Sequence, residues 1–364
     1  MPPLNQTTLA STGTEMASSS SKLFYTPAAA GLIALTPSNL ILERTALMGG
    51  PTSLCDYLVM APGFLQQQDA DTVNKGEYPP VAAMTSGYVF RVENQATAAF
   101  LQRVGKTGYL TKLHVERDPK HYEVVPTVLY LMCVVLSTFV MFRVEDAAAS
   151  WFLCAVCCAR LLHWIVIRKR AQKGWKGMGE PGVRGDLLVL VSQDKWIRIK
   201  GPVDDLKAVT SGQWLQDMTL LDQFLVGAAK LLVYGSMGFA WQMTPQGAAL
   251  VVGLFAASAC LLGLANSMTT TLTMFDCVVR VGERKKYGRR IEMAEELILE
   301  RLGKGNCRSL KDAEWALRLG IVNSHDDLVK IAEKDEHLVH KFGLVSGHDQ
   351  SQNESNTHSQ EVIL

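Results

Sequence analysis

Residues 126–142 of the chain read PTVLYLMCVVLSTFVMF and carry no charged side chain. After a short polar break, residues 147–167 read AAASWFLCAVCCARLLHWIVI, interrupted only by Arg160 and His163. A helix rises about 1.5 Å per residue and the hydrocarbon core of a bilayer is about 30 Å thick, so about 20 mostly apolar residues span it. The two blocks therefore predict a pair of membrane-spanning helices joined as a hairpin.

A second pair of apolar blocks follows further along the chain. Residues 223–243 contain one charge, Lys230, and residues 247–274 contain none. A Thr-Pro-Gln turn at residues 244–246 separates them. By the same length criterion, these blocks predict two more spans. The predicted fold class is thus an α-helical integral membrane protein with four transmembrane helices as two hairpins.

The region before the first block predicts a small folded unit outside the membrane. Residues 87–94 and 109–116 alternate apolar and polar side chains, which is typical of strands, and residues 96–104 predict a short helix. Residues 23–63 are moderately apolar but are interrupted by prolines, among them Pro27 and Pro37, and by the charged pair Glu43 and Arg44. They predict loops, short helices or an interfacial element rather than a fifth span.

The loop between the two pairs of blocks contains more structure than a connector requires. Residues 187–191 form an apolar run, a polar turn follows, and residues 195–200 alternate basic and apolar side chains. This pattern indicates a β-hairpin, and residues 203–209 predict a short helix after it. We therefore expect the loop and the N-terminal region to build a small mixed α/β cytosolic unit.

Four residues of this loop are candidates for cytosolic interactions: Trp196, Asp204, Asp205 and Trp214. The basic residues beside Trp196 are suited to contact anionic lipid headgroups. The alternative, which the pattern favours, is a cytosolic cap that packs on the N-terminal unit. The choice of these four residues rests on pattern and on the family resemblance given below, and not on any identified chemistry.

The distribution of lysine and arginine predicts the orientation of the spans. Basic residues are frequent in the loop at residues 169–222, in the tail after residue 276 and in the N-terminal flank. The two turns on the other side contain only Arg143. Because short cytoplasmic flanks of transmembrane helices are enriched in Lys and Arg, both termini and the central loop are predicted to be cytosolic. The sequence does not indicate which cellular membrane is involved.

Three ionisable residues inside the predicted spans are candidates for function: Arg160, His163 and Lys230. Such residues are costly in a membrane and commonly line a substrate or ion path. Arg160 and His163 lie three positions apart and share one helix face. The favoured alternative is snorkelling toward the cytosolic interface or pairing between helices, since Arg160 and Lys230 lie within about two turns of helix ends.

No catalytic, cofactor or metal motif is recognised in the sequence. The Gly-Lys-Thr sequence at residues 105–107 lacks the earlier glycine of a phosphate-binding loop, because Phe100 stands at that position. Cys154, Cys157 and Cys158 lie inside a predicted span, where small apolar packing is favoured over metal binding. We therefore expect no cofactor, no metal and no enzymatic activity.

The overall composition agrees with a membrane protein. Of 364 residues, 48% are hydrophobic, and the formal net charge of +1 gives no argument for nucleic-acid binding. The predicted organisation is a disordered N-terminus at 1–22, a cytosolic mixed α/β region at 23–122, a transmembrane hairpin at 123–168, a cytosolic loop at 169–222, a second transmembrane hairpin at 223–276, a cytosolic helical tail at 277–345 and a disordered C-terminus at 346–364.

Several stretches carry a family resemblance. Residues 185–215 read GDLLVLVSQDKWIRIKGPVDDLKAVTSGQWL, residues 284–298 read RKKYGRRIEMAEELI, and residues 315–322 read WALRLGIV. Together with FRVENQAT at 90–97 and APGF at 61–64, these stretches resemble a family of uncharacterised multi-pass membrane proteins of filamentous fungi. The resemblance covers most of the chain from about residue 23 to residue 322. It implies a membrane protein of fungal origin and implies no catalytic residue.

Three hypotheses about function follow. The first is a non-enzymatic membrane scaffold or regulator that binds proteins on its cytosolic face. The second is a channel or transporter that would require a homo-oligomer, since four helices enclose little space. The third is a membrane enzyme acting on lipids. It is the weakest hypothesis, because the sequence shows no paired acids and no His/Asp cluster in or beside the predicted spans.

Overall fold

A computed structural model describes residues 32, 35–51, 53–303, 307 and 309–343. The predictions of disorder at residues 1–22 and 346–364 lie outside these described residues. The α-helices of the described part are α1 (Leu40–Leu47), α2 (Ala70–Val73), α3 (Gln95–Val104), α4 (Val124–Arg143), α5 (Ala147–Arg170), α6 (Val203–Thr210), α7 (Leu220–Ala240), α8 (Pro245–Met268), α9 (Arg290–Gly303), α10 (Trp315–Arg318), α11 (His325–Ala332) and α12 (Glu336–Phe342).

The strands of the described part are β1 (Pro80–Ala83), β2 (Val89–Arg91), β3 (Tyr109–Arg117), β4 (Arg184–Val191), β5 (Lys195–Pro202), β6 (Leu272–Met274) and β7 (Cys277–Lys286). Short 3-10 helices occur at Leu54–Leu58, Phe64–Gln66 and Leu310–Ala313.

The chain divides into two compact units. The first, which we call the helical unit, contains the described residues up to Gly76, then Asp118–Gly174 and Gln213–Asp276. The second, the sheet unit, contains Glu77–Arg117, Trp175–Gly212 and the described residues from Cys277 onward. The boundary at Gly76 differs from the predicted region 23–122, because residues 40–68 bond to the apolar helices. The tail also differs from the prediction, since it begins with strand β7.

The helical unit contains four helices long and apolar enough to cross a membrane. They are α4 with 20 residues, α5 with 24, α7 with 21 and α8 with 24. This confirms the prediction of four candidate spans. Helix α4 packs along α8, and α5 packs along α7 and also touches α8. The closest packing therefore joins helices of different predicted hairpins.

Large apolar side chains remain on the outside of these four helices. Val135 on α4 is 67% exposed and Leu231 on α7 is 72% exposed. Phe224, Phe139 and Trp151 are also exposed. An apolar surface of this kind is suited to hydrocarbon and unfavourable in water.

Asp146 links the two turns at one end of the four helices. Its Oδ1 accepts the backbone N–H of Ala148 at 2.9 Å and caps α5, while its Oδ2 accepts the N–H and hydroxyl of Thr244 at 2.6 and 2.8 Å. Burial alone would raise the pKa of the Asp146 carboxyl. The hydrogen bonds from Thr244 and the α5 amides outweigh burial and hold this pKa below its usual range.

The substitution Asp146→Ala is expected to lower the free energy of unfolding by about 1–2 kcal/mol at pH 7, because it removes a helix cap. The depressed carboxyl pKa means that this stabilisation is present above the unfolded pKa of about 3.9 and is lost as pH falls through the folded pKa. Since the folded pKa lies below that value, the difference between wild type and variant should shrink as the pH falls below about 4. Unfolding in mixed detergent micelles at several pH values measures it.

The neighbouring exposed residue Glu145 gives the matched control. Glu145→Ala removes a charge from the same turn without removing the cap, so its stability should stay within about 0.5 kcal/mol of wild type. Equal losses in both variants would show that turn charge, and not the bonds of Asp146, causes the effect.

The sheet unit is built on six strands in the order β2-β1-β4-β5-β3-β7. Strands β4 and β5 form the predicted antiparallel hairpin, with Leu190 opposite Trp196, so this prediction is confirmed. Strand β3 pairs with β5 in parallel and with β7 in antiparallel orientation. The predicted mixed α/β unit is therefore confirmed as a sheet with helices. Buried residues of α9, α10 and α11 share a core with strand residues: Met293, Leu297, Trp315, Leu328, Leu188 and Trp196.

Candidate functional site

Arg160 lies inside the helical unit, where its guanidinium is bonded by a segment distant in sequence. Only 3% of this residue is exposed. Its Nε donates to the carbonyl of Val59 at 3.1 Å and its Nη2 donates to the carbonyl of Asp56 at 2.7 Å. Its Nη1 donates to Oε1 of Gln67. Arg160 therefore does not snorkel. It is a buried cation whose charge-assisted bonds hold residues 56–67 against α5.

The polar contacts of Arg160 extend to the short helix α1. Nε2 of Gln67 donates to the Thr45 hydroxyl at 2.9 Å, and that hydroxyl donates to the carbonyl of Ile41 at 2.8 Å. On the other side, the Tyr130 hydroxyl donates to the Asp56 carboxylate. These bonds join three elements that are far apart in sequence. Because nearly every member is buried, the network stabilises one arrangement of the segment at residues 40–68.

Arg44 completes this cluster. Its Nη1 donates to the Thr269 hydroxyl at 2.9 Å, and its guanidinium carbon lies 5.5 Å from the centre of the Tyr130 ring. Burial lowers the pKa of Arg44 from its ordinary value, although the carboxylates of Asp56 and Glu123 oppose this. We call Arg44, Asp56, Gln67, Tyr130 and Arg160 the polar cluster.

A small cavity lies within the polar cluster. The volume open to the centre of a water-sized sphere is about 20 Å³. Its lining includes all five members of the polar cluster, together with Thr45, Met48 and Leu262. The cavity thus combines two guanidinium groups, a carboxylate, an amide and a phenol ring in a space of a few atoms.

His163 and Lys230, the other intramembrane candidates, do not join the polar cluster by hydrogen bonds. The side chain of His163 is fully buried, and Nε2 of Gln68 donates to its carbonyl at 3.2 Å. Oε1 of Gln68 accepts from Nη1 of Arg170 at 2.8 Å. Lys230 is half-buried on α7. These contacts place His163 in a second polar network near the same end of α5.

The four residues predicted for cytosolic interactions occupy different environments. Trp196 and Trp214 are buried, so neither is part of an exposed surface. The Trp196 ring packs edge-on against Tyr287 with ring centres 6.3 Å apart. The indole N–H of Trp214 donates to the Gly49 carbonyl at 3.0 Å. Both indoles therefore stabilise the cores of their units.

The two aspartates make local contacts in the sheet unit. The carboxylate of Asp204 accepts the backbone N–H of Glu180 at 2.8 Å. Asp205 is buried, and its carboxylate lies 4.0 Å from Nε of Arg117. Each aspartate thus ties helix α6 to a neighbouring segment.

A separate ionic cluster lies in the sheet unit. Arg198 on β5 donates from Nε and Nη2 to the Asp186 carboxylate on β4, at 2.9 and 2.7 Å. It also donates from Nη2 to Glu300 on α9 at 2.9 Å. Burial would lower the pKa of Arg198, but the hydrogen bonds that it donates to both carboxylates outweigh burial and raise this pKa. This three-residue cluster joins the sheet to α9.

The sequence identifies Arg160 as a candidate but does not identify the other members of the polar cluster. Arg44, Asp56, Gln67 and Tyr130 lie in stretches whose patterns contain no motif. The one available signal is Arg44 itself, a charge inside the moderately apolar region at residues 23–63. Within the described residues, no group of three or more His, Cys, Asp and Glu side chains is placed to hold a metal ion.

The fold and the polar cluster define a class of protein with four candidate membrane spans and an α/β sheet unit. Comparison of the chain with protein-family models, curated proteins and solved structures gave no match. The resemblance to fungal multi-pass membrane proteins therefore stays a prediction.

Proposed function

We propose that this chain is a non-enzymatic integral membrane protein that acts as a scaffold or regulator. Four spans hold it in the bilayer, and the sheet unit presents a folded surface to protein partners on the cytosolic face. The observation that carries this proposal is the bonding of Arg160. A transport site must exchange its partners with substrate, whereas each nitrogen of this guanidinium already donates to a protein oxygen.

The interior of the helical unit supports the same function. Beyond the level of Arg160, the buried side chains between the described spans are mainly apolar, including Val140, Phe152, Val233, Val251 and Phe255. Among the described residues of the four helices, the polar side chains buried at or beyond that level, apart from Arg160, are three serines: Ser137, Ser236 and Ser258. A single chain therefore offers no charged path across the bilayer, and we assign the spans an anchoring role.

The orientation belongs to the same proposal and rests on the Lys and Arg distribution. If the central loop and both termini are cytosolic, a glycosylation acceptor inserted after Gln246 should be modified and one inserted after Ser192 should not. The measurement is a mobility shift that is removed by glycosidase. Modification only at the acceptor after Ser192 would show that the orientation is opposite to the one proposed.

The scaffold role is tested by purification of the tagged full chain from cross-linked membranes. We expect at least one protein to be recovered in near-equimolar amount, and a four-span protein of unrelated sequence, purified in parallel, gives the background. Recovery of the chain without a partner above that background would contradict the proposal.

A flux assay on the purified chain in proteoliposomes distinguishes the channel hypothesis from the scaffold proposal. A scaffold should show ion flux no greater than empty liposomes. Flux that disappears in both Arg160→Leu and Lys230→Leu variants would overturn the scaffold proposal and favour an oligomeric channel.

A further inference from the structure

Arg44 is a buried cation with little to neutralise it. The residue is only 8% exposed, and the one hydrogen bond that its side chain makes to a described residue runs from Nη1 to Thr269 Oγ1. That hydroxyl is neutral and donates its own proton to the Ala265 carbonyl. The Nε of Arg44 is buried and has no hydrogen-bond partner among the described residues. A buried guanidinium in this state is costly unless an anion completes its bonding.

The carboxylates nearest to Arg44 have other hydrogen bonds. Asp56 lines the same cavity, and its Oδ1 accepts from the Tyr130 hydroxyl. Glu123 lines a neighbouring cavity with Arg44 and accepts the N–H and hydroxyl of Thr270 at 3.1 and 2.7 Å. Neither forms an ion pair with Arg44 in the described part of the chain. They lower the local positive potential but leave the donor on Nε without an acceptor.

The cavity has the size and depth for one compact oxyanion. It is lined by Arg44 and Arg160 on different elements and by the Tyr130 ring. Tyr130 is six residues from the start of α4, about 9 Å along the axis, and Leu262 is six residues from the end of α8. If these helices cross the bilayer, this level corresponds to the inner edge of the headgroup region, which is about 5–8 Å thick on each side.

We propose that the polar cluster binds a phosphate group, with Arg44 as the principal ligand and Arg160 as the supporting cation. Arginine suits this role because its planar fork of donors matches phosphate oxygens and remains charged. The phosphate can come from a phospholipid headgroup or from free inorganic phosphate. The lipid source rests on the proposed membrane placement, whereas binding of free phosphate does not.

Binding is tested with the purified full chain in detergent by native mass spectrometry and by titration of its thermal transition. Three probes are compared: phosphatidic acid, phosphatidylcholine and inorganic phosphate. We expect one bound phosphate-containing molecule per chain and a raised transition temperature. A response to phosphatidic acid alone identifies a headgroup, and a response to inorganic phosphate identifies the free anion. No response of the wild-type chain to any probe would overturn the proposal.

Variants then assign the site to Arg44. Arg44→Gln should weaken binding of the active probe by about tenfold or more, because a charge-assisted bond is removed. Arg44→Lys keeps the charge and should retain part of the affinity. Arg168→Gln removes an exposed charge from the last turn of α5, and this variant should bind the probe as tightly as wild type. Equal weakening by Arg44→Gln and Arg168→Gln would show general surface attraction and contradict a built site.

These outcomes are distinguishable from failure of the scaffold proposal. Phosphate binding by Arg44 can be present in a chain without protein partners, and partner recovery does not depend on it. If Arg44→Gln does not fold, the wild-type titration with the three probes still decides the proposal.

Discussion

Replacement of Arg160 by leucine should lower the free energy of unfolding of the chain by about 3–5 kcal/mol. The leucine would leave the Val59 carbonyl and the Gln67 amide oxygen buried without their donors, and the Asp56 carbonyl would keep only the N–H of Val59. It would also release residues 56–67 from α5. Equilibrium unfolding in micelles with a rising fraction of a denaturing detergent measures the loss. An Arg160→Leu variant as stable as wild type would contradict the clamping role assigned to Arg160.

Two further variants separate bonding from the general effect of a charge in a span. Arg160→Lys keeps the charge but not the planar fork, so it cannot reach all three acceptors and should fall between wild type and Arg160→Leu. Lys230→Leu removes the lysine charge of α7, where the side chain is half-buried, and should change stability by less than about 1 kcal/mol. A loss in Lys230→Leu equal to that in Arg160→Leu would indicate that any intramembrane charge stabilises the chain.

The polar cluster shows where prediction from sequence succeeds and where it stops. Arg160 was identified as a candidate because a charge in an apolar run is costly at any position. Its partners were not, because Asp56 and Gln67 are about 100 residues away, and no local pattern encodes a contact over that separation. The number of turns to the helix end favours snorkelling, but the segment at residues 56–67 covers Arg160 and bonds it within the protein.

The same distinction holds for the fold. The four candidate spans and the β4–β5 hairpin follow from local composition, since an uninterrupted apolar run or a period of two is recognised over a few residues. Strand β7 lies within residues 277–345, which are predicted as a helical tail from the helical pattern that begins at Arg289. It is a strand because Val279 and Val281 pair with Val115 and Leu113 of β3. Trp196 and Trp214 are predicted as interaction residues from pattern and family resemblance, but both are buried and their contacts lie within the fold.

Removing the cation of the ionic cluster in the sheet unit should cause the second large loss of stability. Arg198→Met is expected to lower the free energy of unfolding by about 3–5 kcal/mol, because it leaves the Asp186 carboxylate buried beside strand β5 without its cation. Glu300 loses the same partner but is more exposed, so most of the cost should come from Asp186. The loss is measured by chemical unfolding of the full chain, followed by the fluorescence of Trp196 and the other tryptophans.

Lys200 offers the matched control, because its Nζ lies 3.8 Å from the same Glu300 carboxylate but is partly exposed. Exposed ion pairs contribute about 0–1 kcal/mol, so Lys200→Met should be close to wild type. Adding Asp186→Leu to Arg198→Met should restore much of the lost stability, since an apolar pair can replace a buried ion pair of similar volume. If the double variant is less stable than Arg198→Met, the cost comes from lost packing of the arginine side chain and not from an unpaired buried carboxylate.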